Sequence, residues 1–129
     1  MLPARTFLNP PPVDDLVAEL AVLRERSVQL LADETADGRL AGLDLIIESE
    51  HGADSSAFLV TWSRKVADDA MAAIPEFWKQ MGEQRVAYSS AVLGGPMGGI
   101  VLARDEEEAI AFCNDYAPEH LGVHSDEPL

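Results

Sequence analysis

Glu119 and His120 stand side by side in the stretch Tyr116-Ala-Pro-Glu-His-Leu121, directly after a proline. A carboxylate can activate water, and an imidazole titrates near neutral pH, so the two together suit acid–base chemistry. Residues before the pair read as the end of a helix and residues after it as the start of a strand. A short rigid connector between regular elements is a common place for catalytic side chains. The residues also leave open a plain surface loop with two solvated polar groups.

A second pair, Glu48 and His51, has i, i+3 spacing at the end of an expected helix. That spacing brings both tips to one face. Carboxylate oxygen and imidazole nitrogen are ordinary zinc ligands, although catalytic zinc usually takes three ligands from protein. The other reading is a polar helix C-terminus, where a histidine also suits the helix dipole. His124 matches no motif and stays unassigned. Gly94-Gly-Pro-Met-Gly-Gly99 is rich in glycine but lies between a helix and the strand after it. The dinucleotide fingerprint needs the opposite order, so this stretch reads as a turn rather than a phosphate loop. Cys113, the one cysteine, sits on an apolar helical face and reads as a buried small hydrophobe.

The elements that must hold these residues follow from pattern. Met1–Pro12 holds Pro10, Pro11 and Pro12 in a row and reads as a flexible arm. Val13–Arg26 has Leu16, Leu20 and Leu23 at helical spacing. A strand is expected near 27–32, then a helix over Asp37–Glu50 with Leu40, Leu43 and Ile47 as its apolar face, widened by Ile46, and Gly52 ending it. Ala57–Trp62 is continuously apolar, as in a strand covered on both faces. Ser63 can cap the next helix, whose stripe is Val66, Ala67, Ala70, Met71 and Ile74. Pro75 is expected to break it, with a further helix from Glu76 to about Leu93. A strand follows near 99–103. Asp105 and Glu108 have capping-box spacing for a helix that turns Ala109, Phe112, Cys113 and Tyr116 to one side. The last strand is expected at 121–124. Strands alternating with helices predict an α/β fold, with a parallel or mostly parallel sheet of about four strands and helices on its faces. Residues 13–129 are expected to form a single domain.

Three stretches in register resemble the histidinol dehydrogenase family. They are Ala32-Asp-Glu-Thr-Ala-Asp37, then Glu48-Ser-Glu-His-Gly52 with Asp54-Ser55, and Tyr116-Ala-Pro-Glu-His-Leu121. The resemblance runs from about Leu30 to about Pro128. It implies part of a Rossmann-type domain and oxidation of L-histidinol, through the aldehyde, to L-histidine in histidine biosynthesis. The implied cofactors are zinc and NAD. His120 would be the base for the alcohol proton, and Glu119 would activate water. Glu48 and His51 would bind zinc and substrate, with Glu48 standing where the family has glutamine; His120 would also touch substrate. The family is homodimeric and larger, with its nucleotide-binding half outside the matched region. The chain is therefore expected to be an internal piece, or a truncated homologue, without an NAD site and inactive alone. The alternatives are a non-catalytic α/β interaction module and a homologue acting on another small alcohol.

Composition narrows the partners. The chain has 129 residues and 47% apolar content, enough for a core. Nine basic against 23 acidic residues give a net charge of -14. Nucleic acid and anionic membranes need positive protein surface, so both are disfavoured. A single cysteine fits a reducing compartment, and a cytoplasmic location is expected. No apolar run approaches the ~18 residues of a membrane span.

Overall fold

Six consecutive buried residues, Ser56–Thr61, form the strand around which the sheet is built. The computed structural model describes residues 27–50 and 55–126. In order these give β1 (Ser27–Ala32), α1 (Gly38–Ser49), β2 (Ser56–Thr61), α2 (Arg64–Trp78), α3 (Glu83–Gly94), β3 (Gly98–Leu102), α4 (Glu106–Tyr116) and β4 (His120–His124). The expected arm at 1–12 and helix at 13–26, and Gly52 as a helix stop, lie outside the described residues.

All strands are parallel, in the order β3-β2-β1-β4. Leu30 pairs with Leu59 on one side and Gly122 on the other. β1 to β3 are laid down stepwise in one direction. The connection from β3 then returns across the sheet to place β4 beside β1. A return crossover keeps the usual hand only by passing over the opposite face. α4 accordingly covers one face while α1, α2 and α3 cover the other.

Two cores result. Leu30, Leu59 and Ile100 point into the α1/α2/α3 side with Leu45, Ile46, Ala70 and Ile74. Phe58, Val60 and Val101 point the other way, against Phe112, Cys113 and Tyr116 of α4. Neighbouring residues of β2 thus bury on opposite faces, which is why its sequence is apolar without alternation. Phe58 meets Phe112 and Tyr116 edge-on at 6.1 and 6.0 Å between ring centroids. On the same face Gln29 is fully buried, with no partner for either amide atom among the described residues.

The caps follow the sequence. Asp37 accepts from the N–H groups of Arg39 and Leu40, and Ser63 from that of Val66. Asp105 accepts from Glu108 N at 2.8 Å. The carboxylate of Glu108 reaches back to Arg104 N at 3.1 Å, one residue before the cap.

Two expectations are corrected. Pro75 does not end its helix: α2 runs through it to Trp78, and α3 begins only at Glu83. Proline removes one N–H, but the last turn stays because Ile74 is buried and Phe77 and Trp78 pack on the core. The break falls at Lys79–Gly82 instead. Of the residues expected to form the inward face of α1, Ile46 is buried and Leu43 half-buried, but Leu40 and Ile47 are exposed. Leu40 is 55% and Ile47 43% exposed, while Gly38, Ala41, Gly42, Leu45, Ile46 and Ser49 are buried. α1 crosses α2 so closely that a Cβ at Gly42 would lie 3.0 Å from the Ala70 carbonyl oxygen. Small residues win that face because only they allow the backbones to meet.

Strand limits shift by a residue or two: β2 ends at Thr61 rather than Trp62, β3 starts at Gly98, and His120 is inside β4.

Candidate active site at the amino end of the sheet

The helices run back against the strands, so the C-terminal ends of α1 and α4 come to the amino edge of the sheet. Glu48 is there on the last turn of α1, and Glu119-His120 there at the entry to β4. The fold gathers two of the sequence motifs on one edge. His51, the remaining proposed ligand, lies outside the described residues, three positions after Glu48 in sequence.

The connector carrying Glu119 is fixed at both ends. Tyr116 closes α4 and is buried; its hydroxyl lies 2.5 Å from Ser56 Oγ. Ser56 donates to the Met97 carbonyl at 2.8 Å, so the tyrosine supplies the hydrogen between the two hydroxyls. On the far side Glu119 N donates to Ser27 Oγ at 3.2 Å. Between these anchors Ala117 adopts φ 50°, ψ 63°, a left-handed conformation in a residue that has a Cβ. Such a residue costs about 1–2 kcal/mol and persists only where its surroundings impose it. Its N–H ends the helix by donating to the Cys113 carbonyl at 2.9 Å.

Glu119 and His120 themselves are solvent-accessible. His120 Nε2 lies 3.9 Å from Glu119 Oε1, and the imidazole side chain is 71% exposed. Side chains alternate along β4. Leu121 and Val123 face α4 and line an apolar groove of about 290 Å³ with Ile110 and Cys113. Gly122 faces Leu30, whose Cδ2 would lie 2.9 Å from an added Cβ. His124 Nε2 is 2.8 Å from Asp44 Oδ2 on α1. His120 belongs to this second set and leaves the strand on the α1 face, where Glu48 also stands.

The segment around Glu48 is held from behind. Ser49 is buried, its hydroxyl 2.7 Å from Ser89, which accepts from Trp78 Nε1 at 3.0 Å. Arg85 makes a two-pronged bond to Glu50, Nε and Nη2 each donating at 3.0 Å. Residues 49 and 50 therefore tie to α2 and α3. No local pattern signals this support, because the partners are about 30 to 40 residues away.

The opposite, carboxyl edge holds a different cluster. The order of strands reverses between β1 and β4, and open α/β sheets commonly bind ligands outside the carboxyl ends at such a point. Here the turn after β1 carries Asp33, Glu34 and Asp37, and Asp37 occupies the α1 N–H groups. Asp33 accepts from Thr35 N and Oγ1 at 2.9 and 2.6 Å and from Ser125 Oγ. Burial raises the Asp33 carboxyl, but the bonds from Ser125 and Thr35 outweigh it and hold it below the ordinary range. Carboxylates at the place where a pyrophosphate would rest repel one, so the turn does not fit a dinucleotide. The glycine-rich stretch 94–99 lies at the amino end of β3, as its rejection as a phosphate loop requires. Cys113 is buried and its thiol is pushed up to about 12 by desolvation. Among the described residues no three His, Cys, Asp or Glu side chains converge as a metal site. No described helix is long and apolar enough to cross a membrane.

The family model for histidinol dehydrogenase matches residues 26–129. A histidinol dehydrogenase homolog of Mesorhizobium japonicum is 60% identical over 100 residues, covering 78% of this chain and 23% of that protein. The histidinol dehydrogenase of Synechocystis sp. is 45% identical over 100 residues, with 78% and 23% covered. The crystal structure of histidinol dehydrogenase from Elizabethkingia anophelis superposes with a TM-score of 0.70 at 30% identity, covering 78% of this chain and 22% of that one. The chain thus spans less than a quarter of the length of the relatives it matches. Motifs, parallel sheet and solved relative agree: this chain belongs to the histidinol dehydrogenase family.

Proposed function

We propose that this region supplies the acid–base residues, and part of a metal site, of an NAD-dependent dehydrogenase that oxidises a small alcohol. The observation that carries the reading is the delivery of Glu119-His120 to the amino edge, on the α1 face, beside the end of α1 that bears Glu48. His120 takes the hydroxyl proton as the alcohol is oxidised. Glu119, adjacent and also exposed, activates water for attack on the aldehyde in a second oxidation. Exposure suits both roles only if substrate and further protein cover the edge. Glu48 and His51 have the donor chemistry of zinc ligands and supply two of the three or four that a stable site needs. Zinc bound there would polarise the alcohol oxygen. NAD would accept hydride from the alcohol carbon, held at a site that these described residues do not form. The remaining ligands, the nucleotide site and a dimer partner belong to the rest of a full-length assembly.

The substrate class is L-histidinol or a related small alcohol. The related-alcohol reading has a specific observation behind it. Identity is 60% to a relative called a homolog and 45% to one called histidinol dehydrogenase itself. Glu48 in the place of a glutamine adds a charge where substrate would bind.

The test is a graft. Residues 27–126 replace the matching segment of a full-length relative, and NADH formation is followed with histidinol and other small alcohols. Turnover is expected, and His120→Ala is expected to lower kcat by about 10²–10⁴-fold. The 129-residue chain alone is expected to be silent. An active graft indifferent to His120→Ala would overturn the assignment.

A further inference from the structure

We propose that Ser27 is a positioning residue for the Glu119 carboxylate, and through it for the attack of water on the aldehyde, while His120 is placed separately by the β1–β4 ladder. The inference deepens the acid–base reading above and rests on it.

The connector from α4 to β4 is held at few points. Helical bonding ends at Ala117, whose N–H goes to the Cys113 carbonyl at 2.9 Å. Pro118 has no N–H to give. The ladder to β1 begins at His120, which stands in register with Val28. Glu119 lies between these supports, and its N–H donates to Ser27 Oγ at 3.2 Å.

That bond bears on the direction of the carboxylate. The proline ring fixes φ of Pro118 but leaves its ψ to rotate. Rotation there turns the planar Pro118–Glu119 peptide and re-aims the Cα–Cβ bond of Glu119. A bond to the N–H of that plane holds it. Ser27 is a firm post for the purpose: it is 0% exposed, on a strand paired on both sides. It also stands in register with Ser56, which holds Tyr116 at the other end of the connector. Glu119 Oε1 is 3.9 Å from His120 Nε2, so one bound substrate can reach both groups.

The step served is hydration of the aldehyde. Water oxygen bonds to the aldehyde carbon, the carbonyl π pair moves onto its oxygen, and Glu119 takes one water proton. The product is the hydrate anion that the second oxidation consumes. The first oxidation uses His120, which the ladder holds. Loss of the Ser27 hydroxyl therefore falls unequally on the two steps.

The graft of residues 27–126 carries Ser27 with it. Alcohol and aldehyde are supplied separately, and alcohol loss and NADH formation from the aldehyde are followed. Ser27→Ala is expected to lower the aldehyde rate by about 10–10²-fold more than the rate of alcohol loss. Ser27→Thr, which keeps the hydroxyl oxygen, is expected to restore it. In the 129-residue chain itself, NMR hydrogen exchange of Ser27→Ala is expected to quicken at the Glu119 amide and to stay unchanged at the bonded amides of β4. Circular dichroism and urea melts establish that each variant folds. If Ser27→Ala does not fold, Ser27→Cys, similar in size but a weak acceptor, carries the test; unfolding of both would overturn positioning in favour of a structural role. Proportional loss of both rates, no loss of either, Glu119 exchange unchanged, or a folded Ser27→Thr that restores nothing would each overturn the inference. An aldehyde rate that falls in Glu119→Gln but not in Ser27→Ala would overturn it and leave the acid–base reading standing. A graft that is inactive, or indifferent to Glu119→Gln, would overturn both.

Discussion

Tyr116→Phe removes one hydroxyl from the base of the candidate site and leaves its packing intact. The ring stacks on Phe112 at 6.1 Å and 14° and meets Phe58 at 6.0 Å, and phenylalanine keeps both contacts. What is lost is the bond to Ser56 Oγ, 2.5 Å away between two buried residues. Ser56 still donates to Met97, so no buried donor is stranded. The net worth of such a bond is about 1 kcal/mol. Tyr116→Ala would also delete the ring, at a cost of about 3–5 kcal/mol. Urea unfolding of the two variants separates the effects: a small drop in midpoint for phenylalanine at unchanged slope, and a drop several times larger for alanine. Equal losses in the two variants would show that the hydroxyl, not the ring, anchors the connector. No loss for phenylalanine would show that the Ser56 bond contributes nothing and that Ala117 is held in its left-handed state by other contacts.

Further expectations can be checked on the same chain. Gln29→Met should stabilise the fold by about 1–3 kcal/mol, because both buried amide atoms lack partners among the described residues and methionine has a similar shape; a urea midpoint that falls would show that Gln29 has a further partner. Asp33→Asn should destabilise at neutral pH. The depressed carboxyl contributes stability above its unfolded value near ~4, lost as pH falls through the folded value, so the difference from the unchanged chain should shrink in acid; a pH-independent difference in thermal melts would refute this. Cys113, with its thiol pushed up to about 12, should resist a thiol reagent at pH 8 and react at once in denaturant; rapid labelling of the folded chain would contradict its burial.

The sequence made the elements legible where each residue's role is local. The apolar run of β2, the caps Ser63 and Asp105, and the face Ala109/Phe112/Cys113/Tyr116 all follow from period and short-range bonding. It misled where packing between elements decides. Leu40 and Ile47 look like core, yet Gly42 and Ala41 take that face because α2 lies too close for larger residues. Pro75 looks like a stop, yet burial of Ile74 and the packing of Phe77 and Trp78 outweigh one missing N–H. At the candidate site, Glu48, Glu119 and His120 were visible through motif resemblance. The parts that hold their segments were not: Ser27, Ser56, Ser89 and Arg85 are ordinary residues until the chain folds back on itself.

The return crossover that seats β4 beside β1 has a kinetic consequence. Glu119 and Ser27, which bond across that seam, are 92 positions apart. β1 and β2 meet far more locally, as in the pairing of Ser27 with Ser56. Loop-closure entropy makes the longer closure costlier by about 1 kcal/mol, before any gain from contacts. The β1–β2 unit with α1 should therefore form early, and β4 should dock late. An edge strand that docks late and is half-exposed is also the first to open in the native state. Hydrogen exchange should find the β4 amides far less protected than those of β2. The proposed acid–base pair, Glu119-His120, would then sit on the least protected seam of the sheet, completed only when the last strand closes.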